Sequence, residues 1–253
     1  MSGSPIRVAL ITGASRGIGA AAAIAFARHG YRVVVNFHRR ADAAATVVTK
    51  IERLGSQAVP VRADVSDPDQ ARDLVQTTVQ TYGRVDTLVC NASTPIHPAP
   101  FEALCWEVFA RKMLDELAAA YHVTQAALPI MQDQRYGRLV YVSSNHSDGP
   151  AAPGMIAHGS AKAALNTFAR YLAHEQGPHG ITANVVSPGY VHTESSATII
   201  TAATETGIAR RTPLRRVADP ADIGRIIALI GSDDAAFTTG VTIPVNGGLG
   251  LAL

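Results

Sequence analysis

His158 and Lys162 stand four residues apart in an alanine-rich stretch, so one helical turn sets an imidazole and an ammonium on the same face. An imidazole exchanges protons near neutral pH, and a neighbouring ammonium pushes it toward its neutral form. The pair Ser143-Ser144 lies just upstream, at the end of the apolar run Leu139–Val142. A second chemistry is written in Thr12-Gly-Ala-Ser-Arg-Gly-Ile-Gly19. Gly13, Gly17 and Gly19 permit a tight turn, close approach of a pyrophosphate and close packing of the next helix. That helix would turn its free N–H groups and positive dipole end toward phosphates. Ser15, Arg16 and Ile18 share the turn, and a strand-like run before it with a helical pattern after it points to a dinucleotide.

The elements that must position these groups follow from periodicity. Val8–Ile11, Val33–Asn36, Ala58–Arg62, Leu88–Cys90, Leu139–Val142, Thr182–Val186 and Val241–Val245 are short and apolar throughout, as expected of strands covered on both faces. Helical patterns separate the first four: Gly17–His29, Ala41–Leu54 and Pro68–Tyr82, each followed by a glycine (Gly30, Gly55, Gly83) suited to a left-handed cap. Alternation of this kind predicts an α/β fold with a doubly wound parallel sheet. With no repeat, linker or composition shift, residues 1–253 are expected to form a single dinucleotide-binding domain. The Thr/Ala-rich stretch 193–212 interrupts the strand spacing and is expected to lie over the ligand crevice as a substrate lid.

The end of the second strand selects between dinucleotides. An acidic residue there would bind the ribose 2′-hydroxyl and repel a 2′-phosphate. The chain instead has Asn36-Phe37-His38-Arg39-Arg40, with no carboxylate before Asp42, and Arg16 lies in the glycine turn. Arginine suits a phosphate, so NADP(H) is the expected cofactor. A net charge of +2 gives no field for nucleic acid or an anionic membrane. Cys90 and Cys105 make neither a disulfide framework nor a metal motif, and Cys90 reads as a buried thiol. No metal site is expected, nor a membrane span, and Met1–Arg7 does not read as a signal peptide, so the expected compartment is cytoplasmic.

With its glycine spacing, the chain resembles the short-chain dehydrogenase/reductase family, and is similar to its 3-oxoacyl-carrier-protein reductases. Further matches run from Arg7 to about Leu249: Asp64-Val65, Asn91-Ala92-Ser93, Ser187-Pro188-Gly189-Tyr190-Val191-His192-Thr193, Pro213-Leu-Arg-Arg-Val, Thr239-Gly240 and Asn246-Gly-Gly248. The resemblance implies that Asp64 and Val65 meet the adenine, that Asn91 and Ala92 lie beside the cofactor, and that Pro188, Gly189, Val191 and Thr193 orient the nicotinamide amide. It implies hydride transfer between a nicotinamide and a carbonyl carbon, with Ser144 holding the oxygen and Lys162 on the ribose. It also implies a homo-oligomer, with the helices Leu117–Ala127 and Ala161–Ala173 able to pack closely between subunits.

Two positions depart from the family. A tyrosine is its proton donor where this chain has His158, and an asparagine stands where it has Glu116, or Asp115 if the register slips by one. A carboxylate facing Lys162 would form an ion pair and, if close to His158, would favour its charged form. A shorter ring would also place its nitrogens nearer the backbone, and ~1 Å of misplacement can cost ~100-fold. Three functions stay open at this stage. The chain is an NADPH-dependent reductase with His158, Tyr190 or His146 as donor, or a non-redox enzyme using His158 and Glu116 for dehydration, isomerisation or cyclisation, or a silent NADP-binding protein. Met155, Ile156, Tyr190 and the lid are expected to line an apolar pocket, which suits an acyl or other apolar carbonyl compound.

Overall fold

The computed structural model describes residues 5–149, 151–194, 196 and 200–250. Seven parallel strands form one sheet in the order β3-β2-β1-β4-β5-β6-β7. They are β1 Val8–Ile11, β2 Arg32–Phe37, β3 Ala58–Arg62, β4 Thr87–Cys90, β5 Gly137–Val142, β6 Ile181–Pro188 and β7 Thr242–Val245. Helices α1 Gly17–Arg28, α2 Ala41–Glu52, α3 Pro68–Tyr82, α4 Trp106–Gln134, α5 Ile156–Gln176, α6 Ala202–Arg211 and α7 Pro220–Ile230 connect them. Every expected strand is present; β1 and β3 keep the expected bounds, and the others differ by one or two residues at their ends. Gly30, Gly55 and Gly83 end their helices with φ of 79°, 82° and 80°, in the left-handed region where a side chain is disfavoured.

Burial on both faces explains the unbroken apolar strands. In β1, Ala9 and Ile11 point into one core while Leu10 points into the other. The first core joins Phe26 of α1, Val47 and Ile51 of α2, and Ile223 and Ile227 of α7. The second joins Leu74 of α3, Val123 and Met131 of α4, and Leu165 of α5. Two-residue periodicity thus feeds two layers of helices with alternate side chains of one strand.

Strand order reverses at β1. The chain runs outward through β2 and β3, then returns to place β4 on the other side of β1, with Ile11 opposite both Val35 and Val89. At such a switch point the loops at the strands' carboxyl ends diverge and leave a crevice. Gly13, His38, Asp64, Asn91, Ser144 and Gly189 all follow carboxyl ends of strands, so residues scattered through the sequence gather on one edge.

Candidate functional site

The crevice at the carboxyl ends of β1, β2 and β4 is a cleft of about 640 Å³. Gly13, Ser15, Arg16, Gly17 and Ile18 line it, as do His38, Arg39, Asp64, Val65, Asn91, Ala92 and Thr193. Gly13 and Gly17 hold φ of 61° and 55°. Among the described residues, a Cβ added to Gly17 would meet nothing closer than Thr193 Cγ2 at 3.5 Å, so they leave this side of the turn open to a ligand. Helix α1 starts without a side-chain cap and with no acidic residue in its first turn. Its own first turn and N-cap side chain therefore leave the N–H groups and dipole to a ligand, as an anion site requires. Residues and shape together fit a dinucleotide.

Buried amides hold the turn. Thr12 Oγ1 accepts from the N–H groups of Asn91 and Ala92, both at 2.9 Å, while Asn91 Nδ2 donates to Thr12 O at 2.9 Å and Gly13 O at 3.2 Å. Asn36 Oδ1 accepts from Gly13 N–H at 3.1 Å, and its Nδ2 donates to Ala63 O at 3.1 Å. Asn36 therefore ties three strand ends together, and the side chains left for a ribose are those after it.

Several expected contacts stand outside the cleft wall. Phe37 and Val191 are buried in the core. Pro188 pairs with Val245, and a Cβ on Gly189 would lie 2.9 Å from that of Asn246, so this turn is fixed against the strand beside it. Gly19 is a packing glycine, because an added Cβ would lie 2.5 Å from Asn91 Nδ2 and 2.6 Å from Gly13 O. Replacing it strikes backbone before it reaches any ligand space. Gly19→Ala is expected to destabilise the fold by ~1–3 kcal/mol through overpacking, and Gly19→Trp to leave little folded protein, as read by circular dichroism during thermal unfolding.

The cleft also holds a carboxylate that sequence reasoning passed over, Glu194. Arg40 Nη1 donates to Glu194 Oε2 at 2.7 Å, and Arg16 Nη1 lies 3.6 Å from the same oxygen. Glu194 follows Thr193 directly, but nothing in its spacing announces a partner 154 residues away. Also in the cleft lining, His38 Nδ1 lies 3.7 Å from Asp64 Oδ2. The Asp64 carboxyl stays below its usual range: partial burial raises it, but hydrogen bonds from Ser66 and the nearby His38 and Arg39 outweigh that.

Beyond the cleft's inner end lies a buried charge cluster. Ser93 and Thr94, which line the cleft, donate from their hydroxyls to Glu116 Oε2 at 3.0 and 3.2 Å. Glu116 is 2% exposed; its Oε1 lies 2.6 Å from Lys162 Nζ and its Oε2 lies 2.6 Å from Lys112 Nζ. Burial alone would raise this carboxyl, but the two ammoniums hold it well below the usual carboxylate range. Lys162 is 4% exposed, also donates to Val142 O at 2.7 Å, and is not part of the cleft wall. Glu116 is thus the residue that meets Lys162, and Asp115 lines the cleft instead.

His158 is 7% exposed, on the same face of α5 as Lys162. Its Nδ1 has no hydrogen-bond partner among the described residues, nor has that of His146, whose ring meets it edge-on at 5.8 Å between centroids. Burial first, then Lys162 and Lys112, push His158 down to about 3, against the pull of Glu116. The pull toward the charged form expected of a carboxylate close to His158 is thus outweighed by burial and the two ammoniums.

Ser144 is half-buried, and its Oγ accepts from His146 N–H at 3.3 Å. Asn166, one turn beyond Lys162, props this corner by donating to Ser147 Oγ at 3.0 Å, which donates in turn to Ser144 O at 2.6 Å. Met155 and Ile156 line a separate hollow of about 520 Å³ with His146, Pro153 and Gly159. Tyr190 does not join them; its hydroxyl donates to Glu205 of α6 at 3.3 Å. Of the stretch 193–212, residues 195 and 197–199 lie outside the described residues. Cys90 is buried as expected, and burial raises its thiol to about 12. No helix among the described residues is long and apolar enough to cross a membrane, and they hold no cluster of metal-ligating side chains.

Comparison with known proteins agrees with this arrangement. A family model described as enoyl-(acyl carrier protein) reductase matches residues 13–250. An uncharacterized oxidoreductase of Methylorubrum extorquens is 39% identical, over 96% of this chain and 97% of that protein. The cyclohexanol dehydrogenase of a Rhodococcus species is 36% identical, over 96% of each. Among solved structures, a blue fluorescent protein from a metagenomic library, in complex with NADPH, superposes with a TM-score of 0.88 at 29% identity, over 98% of this chain and 99% of that one. Glycine turn, switch-point cleft and these relatives together identify the chain as an oxidoreductase belonging to the short-chain dehydrogenase/reductase family.

Proposed function

We propose that this oxidoreductase is an NADPH-dependent reductase that acts on the carbonyl group of an apolar or acyl-type substrate. The observation that carries the reading is the direct link between cleft and cluster: Ser93 and Thr94 line the cofactor cleft and bond to the carboxylate that holds Lys162. When bound, the nicotinamide supplies the hydride.

The chain's own residues handle the oxygen and its proton. Ser144 donates a hydrogen bond to the substrate oxygen, and His158 gives that oxygen its proton from a ring N–H. A neutral imidazole can act as a donor to a developing oxyanion. The positive charge that opposes an imidazolium here also stabilises the anion left when the neutral ring gives up its proton. Lys162 and Glu116 act through His158 by setting that charge. The stretch 193–212 serves as a lid, supported by α6 following the carboxyl end of β6 and by Thr193 on the cleft wall. Exposed Trp106, Leu114 and Tyr121 of α4 and Tyr171 of α5 support a homo-oligomer formed through these two helices.

NADPH is favoured over NADH because Arg16, Arg39 and Arg40 line the cleft. The protein is expected to bind NADPH at least ~10-fold more tightly, about the worth of one charge-assisted hydrogen bond. Arg39→Asp should narrow or reverse the preference. Glu194→Gln should strengthen NADPH binding more than NADH binding, because it frees Arg40 and Arg16 for a phosphate. Equal affinities in a fluorescence titration of the wild type would refute the assignment.

A further inference from the structure

We propose that Lys112 is a positioning residue for proton transfer at His158, offsetting the charge of Glu116 so that the buried cluster keeps one net positive charge beside the donor. The inference rests on the role of His158 proposed above and adds a residue that no other part of that reading uses.

Three ionised side chains are in contact, with the Glu116 carboxylate placing one oxygen on each of two ammoniums at 2.6 Å. One negative and two positive charges leave a net single positive charge, closed off from solvent. The two lysines are not equivalent. Lys112 Nζ meets Glu116 Oε2 at 2.6 Å, Thr94 O at 2.9 Å and Thr94 Oγ1 at 3.0 Å. With Ser93 Oγ at 3.4 Å, four acceptors surround its three N–H groups, so Lys112 has none to offer a substrate. Lys162 Nζ meets Glu116 Oε1 and Val142 O, which leaves one N–H. Lys112 is therefore enclosed, and its effect on the reaction is electrostatic.

Helix geometry makes the arrangement compact, since Lys112 and Glu116 are four apart on α4 and share one face. Without Lys112, Glu116 would neutralise Lys162, and the field at His158 would lose its sign. The charged and titratable groups around His158 are Lys162 on its own helix, Lys112 and Glu116 from α4, and His146 from the corner after β5. Only Glu116 among them favours an imidazolium. Removing one cation thus makes the imidazolium easier to form. It also makes the neutral ring a weaker acid, because its anion loses a counter-charge.

The test compares wild type, Lys112→Met and Lys112→Met/Glu116→Gln. The readouts are the His158 signal in a histidine NMR titration, assigned with His158→Phe, and the pH profile of kcat on a ketone that the wild type reduces. Lys112→Met is expected to raise the His158 midpoint by about one pH unit or more and to lower kcat by ~10-fold or more, with NADPH affinity within ~2-fold. Adding Glu116→Gln restores the net charge, returning the titration toward wild type and recovering part of kcat. If Lys112→Met does not fold, Lys112→Gln makes the same charge change and keeps a donor for Thr94. An unchanged His158 titration in the folded single variant would overturn the proposal, as would a kcat loss that the double variant does not relieve. The NMR arm does not depend on turnover. If His158 shifts as expected in a protein that reduces no ketone, the offset stands and the reductase reading falls.

Discussion

Replacing His158 with phenylalanine is expected to lower kcat by ~10²–10⁴, the range for losing a positioned acid or base. NADPH affinity should stay within about 2-fold, because His158 is buried outside the cofactor cleft and phenylalanine is of similar volume. The wild-type profile carries a further signature. His158 is held down to about 3, so the donor stays a neutral ring throughout the working range. The rate should therefore show no inflection near pH ~6.5, where an ordinary histidine would titrate. A steep rise in rate as pH falls through ~6.5 would show that the imidazolium is the acid. A rate indifferent to the substitution would move the donor role to His146 or bound water.

A comparable effect is expected on stability. Glu116→Leu leaves Lys112 and Lys162 buried together without their carboxylate and should cost ~3–5 kcal/mol in urea unfolding. Glu116→Gln should cost less, because the amide still accepts a hydrogen bond. The same cluster makes the fold acid-sensitive. His158 has a folded value near 3 against an ordinary 6.5, and Glu116 lies below its ordinary 4.5. In both cases the unfolded chain takes up its proton first as pH falls. The stabilisation from His158 is complete above 6.5 and is lost on acidification toward its folded value. That from Glu116 is complete above 4.5 and is lost below it. Each proton contributes a slope of ~1.4 kcal/mol per pH unit within its window. Unfolding midpoints measured between pH ~7 and ~5 should fall in the wild type, and His158→Phe should remove much of that decline.

The scaffold was readable because its signals are local or periodic. Val8–Ile11 is apolar throughout since both faces of β1 are covered, and Gly30, Gly55 and Gly83 mark helix ends by a conformation that side chains resist. The glycine turn was readable as a phosphate site, but spacing alone could not separate Gly17, open to the cleft, from Gly19, wedged under Asn91. Lys112 was missed for a different reason. A lysine and glutamate four apart usually mark a solvated helix face. Only the loop after β4, which lays Ser93 and Thr94 over them, turns the pair into a buried cluster. The start of α4 at Trp106 was equally hidden, because residues 106–116 mix charged and aromatic side chains without the alanine-rich pattern that follows. Arg40 and Glu194 meet only through the three-dimensional fold. Charge partners across the sheet edge are tertiary facts, as are the burial and the two lysines that set the state of His158.

The most direct test of the account is the fate of deuterium from NADPH carrying deuterium at both C4 positions of its nicotinamide. The protein is incubated with labelled cofactor and a panel of alicyclic ketones and 3-oxoacyl thioesters, and the products are read by mass spectrometry and NMR. Hydride transfer predicts that deuterium appears on the new carbinol carbon of at least one product, on one face only, with equal loss of NADPH absorbance. Product formed while the cofactor keeps all its deuterium would contradict the account and assign this site to non-redox chemistry.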